Sequence, residues 1–190
     1  MILQPLPPRI LSVRRLPNAD PALLVAYGAD PTRHRSLGLL TVDQDDPTYV
    51  ALDEATKHAH VDVVFAKSFY AGASHGSGPL SGEILGVIAA STPDEIDEGM
   101  HALVRCLESD ACFYAADDAK KTAVFPHVIA SLGHYLSALA GLAPGDSMAY
   151  LVAPPMEATI GLDMALKAAG VRAVKIFPPP TETNFAAAWL

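Results

Sequence analysis

Two stretches decide how this chain is read: "ALDEATKHAHVDVV" (Ala51–Val64) and "GLDMALKAAGVRAV" (Gly161–Val174). They align without a gap at a constant offset of 110. Leu52, Asp53, Ala55, Lys57, Ala59, Val61 and Val64 match Leu162, Asp163, Ala165, Lys167, Ala169, Val171 and Val174, seven of fourteen positions. Just upstream, "SLGLLTVDQDDP" from Ser36 parallels "SMAYLVAPPME" from Ser147 with one gap. Solenoid repeats recur every ~20–50 residues, so a period this long signals a duplicated domain instead.

Each copy reads as the same run of elements. A short apolar stretch (Leu37–Val42; Met148–Ala153) predicts a buried strand, and a proline-containing turn then leads into a helix. Leu52, Ala55 and Ala59 line one face of the first helix, as Leu162, Ala165 and Ala169 do in the second. The opposite face carries Asp53→Lys57 and Asp163→Lys167, acid four residues before base, which is the favourable order for an ion pair on a helix. A second strand (Val61–Phe65; Val171–Phe177), a loop and a third strand (Glu83–Ala90; Asn184–Leu190) follow.

In the first copy "STPDEIDEGMHALVRCLE" comes next. Thr92 and Glu95 predict a capping box with Pro93 at the first helical position, and Ile96, Met100, Leu103 and Leu107 predict the buried stripe. A strand–helix pair precedes each copy: "RILSVRRLPNADPALLVAYG" and "CFYAADDAKKTAVFPHVIASLGHYLSALAG". In the latter, Val128, Ile129, Leu132, Leu136 and Leu139 read as one apolar helical face. The third strand follows the second with no crossover helix, so the fold class expected is α/β, an α+β sandwich with mainly antiparallel sheets. The units expected are 1–110 and 111–190. The second stops inside its third strand, without a counterpart of Ser91–Glu108. The natural product is therefore expected to be longer, since otherwise an apolar strand would end without its covering helix and leave apolar surface exposed.

Composition narrows the function. Of 190 residues, 51% are hydrophobic and 18% charged, with a formal net charge of −8, so the chain is expected to fold and to lack the basic footprint of a nucleic-acid binder. No apolar run reaches the length of a membrane span, and "MILQPLPPRI" lacks the pattern of a signal peptide. Cys106 and Cys112 have neither zinc nor disulfide spacing and are expected as reduced, buried thiols of a cytosolic protein.

Catalytic motifs are missing as well. The loop Lys67–Gly82 has four glycines from Gly72 to Gly82 but no GK[ST] ending, so it is not a phosphate-binding loop. Ser74-His75 lacks a nucleophile elbow. His127 and His134 are seven apart, His58 and His60 straddle a helix end, and no metal site is expected within the chain, although one shared across a symmetry axis is left open. Asp45 and Asp46 before Pro47 read as helix-capping acids helped by the helix dipole, and Glu83 as a strand-end carboxylate.

The run from "SLGLL" through "DEATKHAHVDVVFAKSFYAGASHGSGPLSGEILGVIAAS" resembles the bacterial microcompartment shell domain. Two tandem copies, each with a strand and helix moved to the front, resemble its circularly permuted tandem type. "RSLGL", "DDPTYVALDEATK", "YAGASHG", "GDSMAYLVAPPMEATIGLD" and "PPPTETNFAA" are similar to the ethanolamine-utilisation members. The likeness is specific over 36–90 and 145–187 and loose over 91–111.

It implies two pseudo-twofold-related shell domains, three chains forming a homotrimeric pseudohexameric tile, and a place among other shell proteins in a cytoplasmic microcompartment. It implies a wall with selective pores rather than an enzyme, no cofactor, and no membrane or nucleic-acid partner. By resemblance, Lys57 and Lys167 lie at tile edges. Phe69, Tyr70, Gly72, His75, Gly76, Pro178 and Pro179 belong to loops gating a central pore. Asp45, Asp46, Glu83, Phe113, Thr183 and Asn184 gather at a small acidic pore suited to ethanolamine or another small metabolite. Two other readings compete: a trimeric small-molecule sensor with no wall role, and an enzyme using Asp45, Glu83 or His75 as acid–base groups.

Overall fold

The computed structural model describes residues 3–69, 83–117, 122–179, 181 and 185–190. The first half contains β1 (Gln4–Leu6), β2 (Ile10–Leu16), α1 (Pro21–Ala26), β3 (Ser36–Val42), α2 (Asp45–His58), β4 (Asp62–Phe69), β5 (Glu83–Ala90) and α3 (Pro93–Ser109). The second contains β6 (Phe113–Ala115), β7 (Ala123–Ile129), α4 (His134–Ala140), β8 (Met148–Ala153), α5 (Pro155–Ala168), β9 (Lys175–Phe177) and β10 (Ala186–Trp189).

The strands form two antiparallel sheets. One has the order β2-β3-β5-β4, and the other β1-β6-β7-β8-β10-β9. The run β7-β8-β10-β9 repeats the order of the first sheet, and α4 and α5 stand in the chain where α1 and α2 do. The duplication read at an offset of 110 is thus a duplication of topology. One strand breaks the pattern: β1 crosses to the second sheet, pairing Gln4 with Ala115 and Leu6 with Phe113. The Gln44 amide donates to the Leu6 and Pro7 carbonyls at 3.2 and 3.3 Å and ties this crossing to the start of α2.

Alternation explains the first sheet. Leu37 of β3 and Val87 and Ala89 of β5 face a small cluster under α1 with Leu24. Leu40 and Val42 of β3 and Ile84 and Ile88 of β5 face the main core under α2 and α3. Both faces are covered, so the strand reads as a near-continuous apolar run. Gly38 lies where a Cβ would meet Met100 Sδ, Ile88 Cγ1 and Ile96 Cγ2 within 3.0 Å, so only glycine lets α3 sit this close. α3 presents Ile96, Met100, Leu103 and Leu107 inward, as its spacing requires. The capping box is one-way: the Thr92 hydroxyl accepts from Glu95 N–H, but the Glu95 carboxylate accepts from His60 N–H at 2.7 Å and so pins the α2–β4 turn.

The main core runs without a break from Leu40 in the first half to Phe113, Phe125 and Trp189 in the second. A buried carboxylate reinforces that junction. Asp53 is fully buried, and its two oxygens accept from Gly133 N–H at 2.7 Å and Leu136 N–H at 2.8 Å. The Thr56 hydroxyl accepts from His134 N–H at 2.9 Å. Two side chains of α2 thus cap α4 across the two halves, since Gly133 and the residues after it carry the unpaired amides of a helix start.

This corrects the pairing read from the sequence. Asp53 does not face solvent and does not pair with Lys57. Lys57 pairs with Glu54 and donates to the Ser131 carbonyl at 3.0 Å. In the second copy the expected pair forms, Lys167 to Asp163 at 2.7 Å, exposed. The same motif meets a helix end in one half and solvent in the other.

A second correction concerns 123–140. Val128 and Ile129 are not helical: they lie in β7, paired with Ala149 and Met148, Val128 being 69% exposed and Ile129 buried. The helix begins only after Gly133, Leu136 is buried in it, and Leu139 is largely exposed. Period alone misled there, because a strand and a short helix joined by a turn mimic one apolar face. Pro126 is tolerated because β6 pairs only as far as Val124.

The strand expected at Val171–Phe177 is confined to Lys175–Phe177. α5 buries only Ala158 and leaves Met156, Ile160 and Met164 at 70%, 58% and 63% exposure. No described helix covers α5 as α3 covers α2. No described helix is long and apolar enough to cross a membrane.

Candidate functional site: a cavity between the two halves

A cavity of about 620 Å³ opens where the N-terminus of α2 meets β8, β9 and β10. Asp45, Asp46, Tyr49 and Ala66 line it from the first half, and Tyr135, Leu139, Tyr150, Lys175, Phe177, Phe185 and Trp189 from the second.

Its acidic end follows from helix geometry. Asp45 and Asp46 occupy the first turn of α2, where unpaired N–H groups favour negative charge. Asp45 accepts from Asp46 N–H at 2.9 Å and from the Ser68 hydroxyl at 2.8 Å. Asp46 accepts from the Tyr150 hydroxyl at 2.5 Å. Both carboxylates are buried. Burial pushes the Asp46 carboxyl well above the usual carboxylate range and the charge of Asp45 adds to this, while the Tyr150 hydrogen bond opposes it. The Tyr150 hydroxyl is in turn pushed well above the ordinary phenol value, first by burial and then by the charge of Asp46.

The other wall is aromatic. Tyr150 meets Trp189 edge-on with centroids 5.7 Å apart, and Trp189 meets Phe177 at 5.0 Å. The Lys175 amine lies over the Phe177 and Trp189 rings at 5.1 and 5.5 Å. The carboxylate end can hold a small cation, whereas the Phe177 and Trp189 faces already carry the Lys175 amine. Among the described residues no cluster of three His, Cys, Asp or Glu side chains could hold a metal ion.

No family model matches the sequence. A bacterial microcompartment shell protein EutL of Salmonella typhimurium is 52% identical over 160 residues, spanning 84% of this chain and 73% of the relative. The EutL of Clostridium perfringens is 46% identical over 183 residues, 96% of this chain and 84% of that one. The chain belongs to the EutL family of bacterial microcompartment shell proteins. The crystal structure of the ethanolamine utilization protein EutL from Leptotrichia buccalis superposes with a TM-score of 0.91 at 46% identity, covering all of this chain and 87% of that one. A trimeric shell protein PduB shares the fold at 17% identity, with a TM-score of 0.75. The EutL fold of tandem permuted shell domains and a place in the microcompartment shell, within the cytoplasm, follow from this membership.

Against this EutL frame, the residues expected at a small acidic pore divide. Asp45 and Asp46 come together on the cavity. Phe113 does not line it: that ring is wholly buried behind the wall, 5.7 Å from Phe185, so it supports the site and offers no face to a ligand. Thr183, Asn184 and the Glu83 side chain lie outside the described residues. Of the residues expected at a central pore, Tyr70, Gly72, His75 and Gly76 also lie outside them. Phe69 ends β4, partly exposed, and Pro178 lies on the cavity beside Phe177, with Pro179 next to it and exposed. Sequence reasoning missed Tyr49, Tyr150, Lys175, Phe177 and Trp189. The only signal for the last was its being the single tryptophan in the chain.

Asp46 yields a signed prediction. A carboxyl raised in the folded state ionises first in the unfolded chain, so folding stability from this group is lost as pH rises from the unfolded value toward the folded one. Asp46→Asn keeps an acceptor for Tyr150 and removes that penalty. Thermal unfolding is expected to show the variant gaining on the parent as pH rises from ~4 to ~8, because the unfolded carboxyl ionises there while burial, and then the charge of Asp45, oppose ionisation in the folded state. A gap that does not change with pH would contradict this.

Proposed function

We propose that the chain is a wall-forming protein of the microcompartment shell, assembled as a flat homotrimeric pseudohexamer that admits small metabolites and catalyses nothing. The observation that carries this reading is the repeated sheet order, β2-β3-β5-β4 and β7-β8-β10-β9. A chain with two topologically equivalent halves offers a threefold assembly six similar sectors, the condition for tiling a plane. The units are taken as 1–110 and 111–190, with β1 lent to the second. The name of the relatives, ethanolamine utilization protein, supports ethanolamine as a metabolite for the cavity at Asp45 and Asp46. In this reading the segment holding Tyr70, Gly72, His75 and Gly76, with Pro178 and Pro179, gates a central opening.

Lys57 and Lys167 are proposed as tile-edge residues, and the structure makes their roles testable separately. Lys167 has only an exposed helix pair to lose, whereas Lys57 also bonds Ser131 within the chain. Native mass spectrometry is expected to give a trimer for both the parent and Lys167→Asp. Electron microscopy at low salt is expected to show sheets for the parent and none for Lys167→Asp, because like charges set against an edge repel. A monomer, or a parent that forms no sheets, would refute the tile reading, and sheets unaffected by the charge reversal would refute the edge role of Lys167.

A further inference from the structure

The cavity is not simply an acidic pocket. On the same lining as the carboxylates stand donors that an ammonium ion alone leaves unused. Trp189 is 5% exposed and lies on the cavity lining, and its indole N–H is buried with no acceptor among the described residues. A buried donor left unpaired is unfavourable by about 1–3 kcal/mol, so it marks a place where an acceptor is missing. Beside it the Lys175 amine lies over the Trp189 and Phe177 rings and forms no ion pair among the described residues. An exposed lysine at the mouth of a pocket disfavours a plain cation and favours an anionic group. Tyr150 joins the poles: its hydroxyl donates to Asp46, and its ring packs on Trp189.

We propose that this cavity binds a small zwitterion, its ammonium at Asp45 and Asp46 and its carboxylate, phosphate or other anionic end at the Trp189 indole N–H and the Lys175 amine. The proposal rests on the reading of the cavity as the chain's metabolite site. The volume, about 620 Å³, lies within the ordinary range for small-molecule sites, so a ligand longer than a two-carbon amine is accommodated. Each pole supplies what the other end of the ligand lacks, and desolvation of both ends is offset at once.

Trp189 is the only tryptophan in the chain, so its fluorescence reports on the site without interference. The full chain is titrated with ethanolamine, with ω-amino acids from β-alanine to 6-aminohexanoate, and with the matching amine-free carboxylates. One length of amino acid is expected to bind at least about tenfold more tightly than ethanolamine or its own carboxylate. Lys175→Met keeps the apolar stem over the rings, sits on the surface and does not threaten folding. It is expected to lower zwitterion affinity about tenfold and to leave ethanolamine bound at least as tightly as in the parent, since a repelling charge is removed. Trp189→Phe, followed by calorimetry, is expected to weaken the zwitterion alone. Ethanolamine binding as tightly as every amino acid, or Lys175→Met changing nothing, overturns the two-pole assignment while the ammonium site stands. Failure of every probe to bind overturns both.

Discussion

Replacing Asp53 with alanine is expected to destabilise the chain by about 3–5 kcal/mol, the combined worth of two hydrogen bonds from backbone amides to a buried carboxylate. The side chain is fully buried, and its oxygens take the N–H groups of Gly133 and Leu136 at 2.7 and 2.8 Å. Alanine leaves both amides in the interior without an acceptor. Asp53→Asn should do nearly as badly, because its NH2 turns a donor toward one of those amides. Urea unfolding measures the effect, and since the lost bonds join the two halves, the transition should also lose cooperativity. A loss below ~1 kcal/mol would mean that the junction rests on apolar packing alone. Gly133→Ala tests the same joint from the other side, because a Cβ there would collide with the Thr56 hydroxyl and the Asp53 carbonyl.

Phe113→Ala should be equally severe, about 3–5 kcal/mol, because deleting a fully buried ring forfeits its transfer energy and leaves a cavity. The ring has 0% exposure and packs against Phe125 at 5.2 Å and Phe185 at 5.7 Å. The two possible roles of Phe113 separate cleanly here. An aromatic lining a pore would lower ligand affinity on truncation and scarcely move the melting temperature. A core ring moves the melting temperature by many degrees, with affinity unchanged in whatever fraction remains folded. Phe113→Leu should recover much of the loss, since volume matters more than aromaticity inside a core.

The duplication was legible because it is written in local signals. The strand–helix–strand–strand order and the stripe on α3 depend on residues within a few turns of one another, and so does the acidic start of α2, although Gln44 and not Asp45 or Asp46 takes the cap position. The cavity was legible only in part, since Asp45 and Asp46 were visible as a pair but their partners Tyr150 and Trp189 lie more than a hundred residues away. A hydrogen bond across that distance leaves no periodic trace. The stretch 123–140 shows the opposite hazard, a plausible period with a wrong meaning, because β7 and α4 happen to place apolar residues at helical spacing.

Asp53 and Asp163 mark the boundary between the two kinds of information. Read alone, the sequence determined that both stand four residues before a lysine on the same helix of a duplicated domain. Tertiary structure alone decided that Asp163 keeps its lysine in solvent while Asp53 turns inward to cap α4. Local spacing sets which partners are within reach. Burial beside unpaired backbone amides decides which is taken, because two charge-assisted bonds in the interior outweigh an exposed ion pair worth about half a kcal/mol.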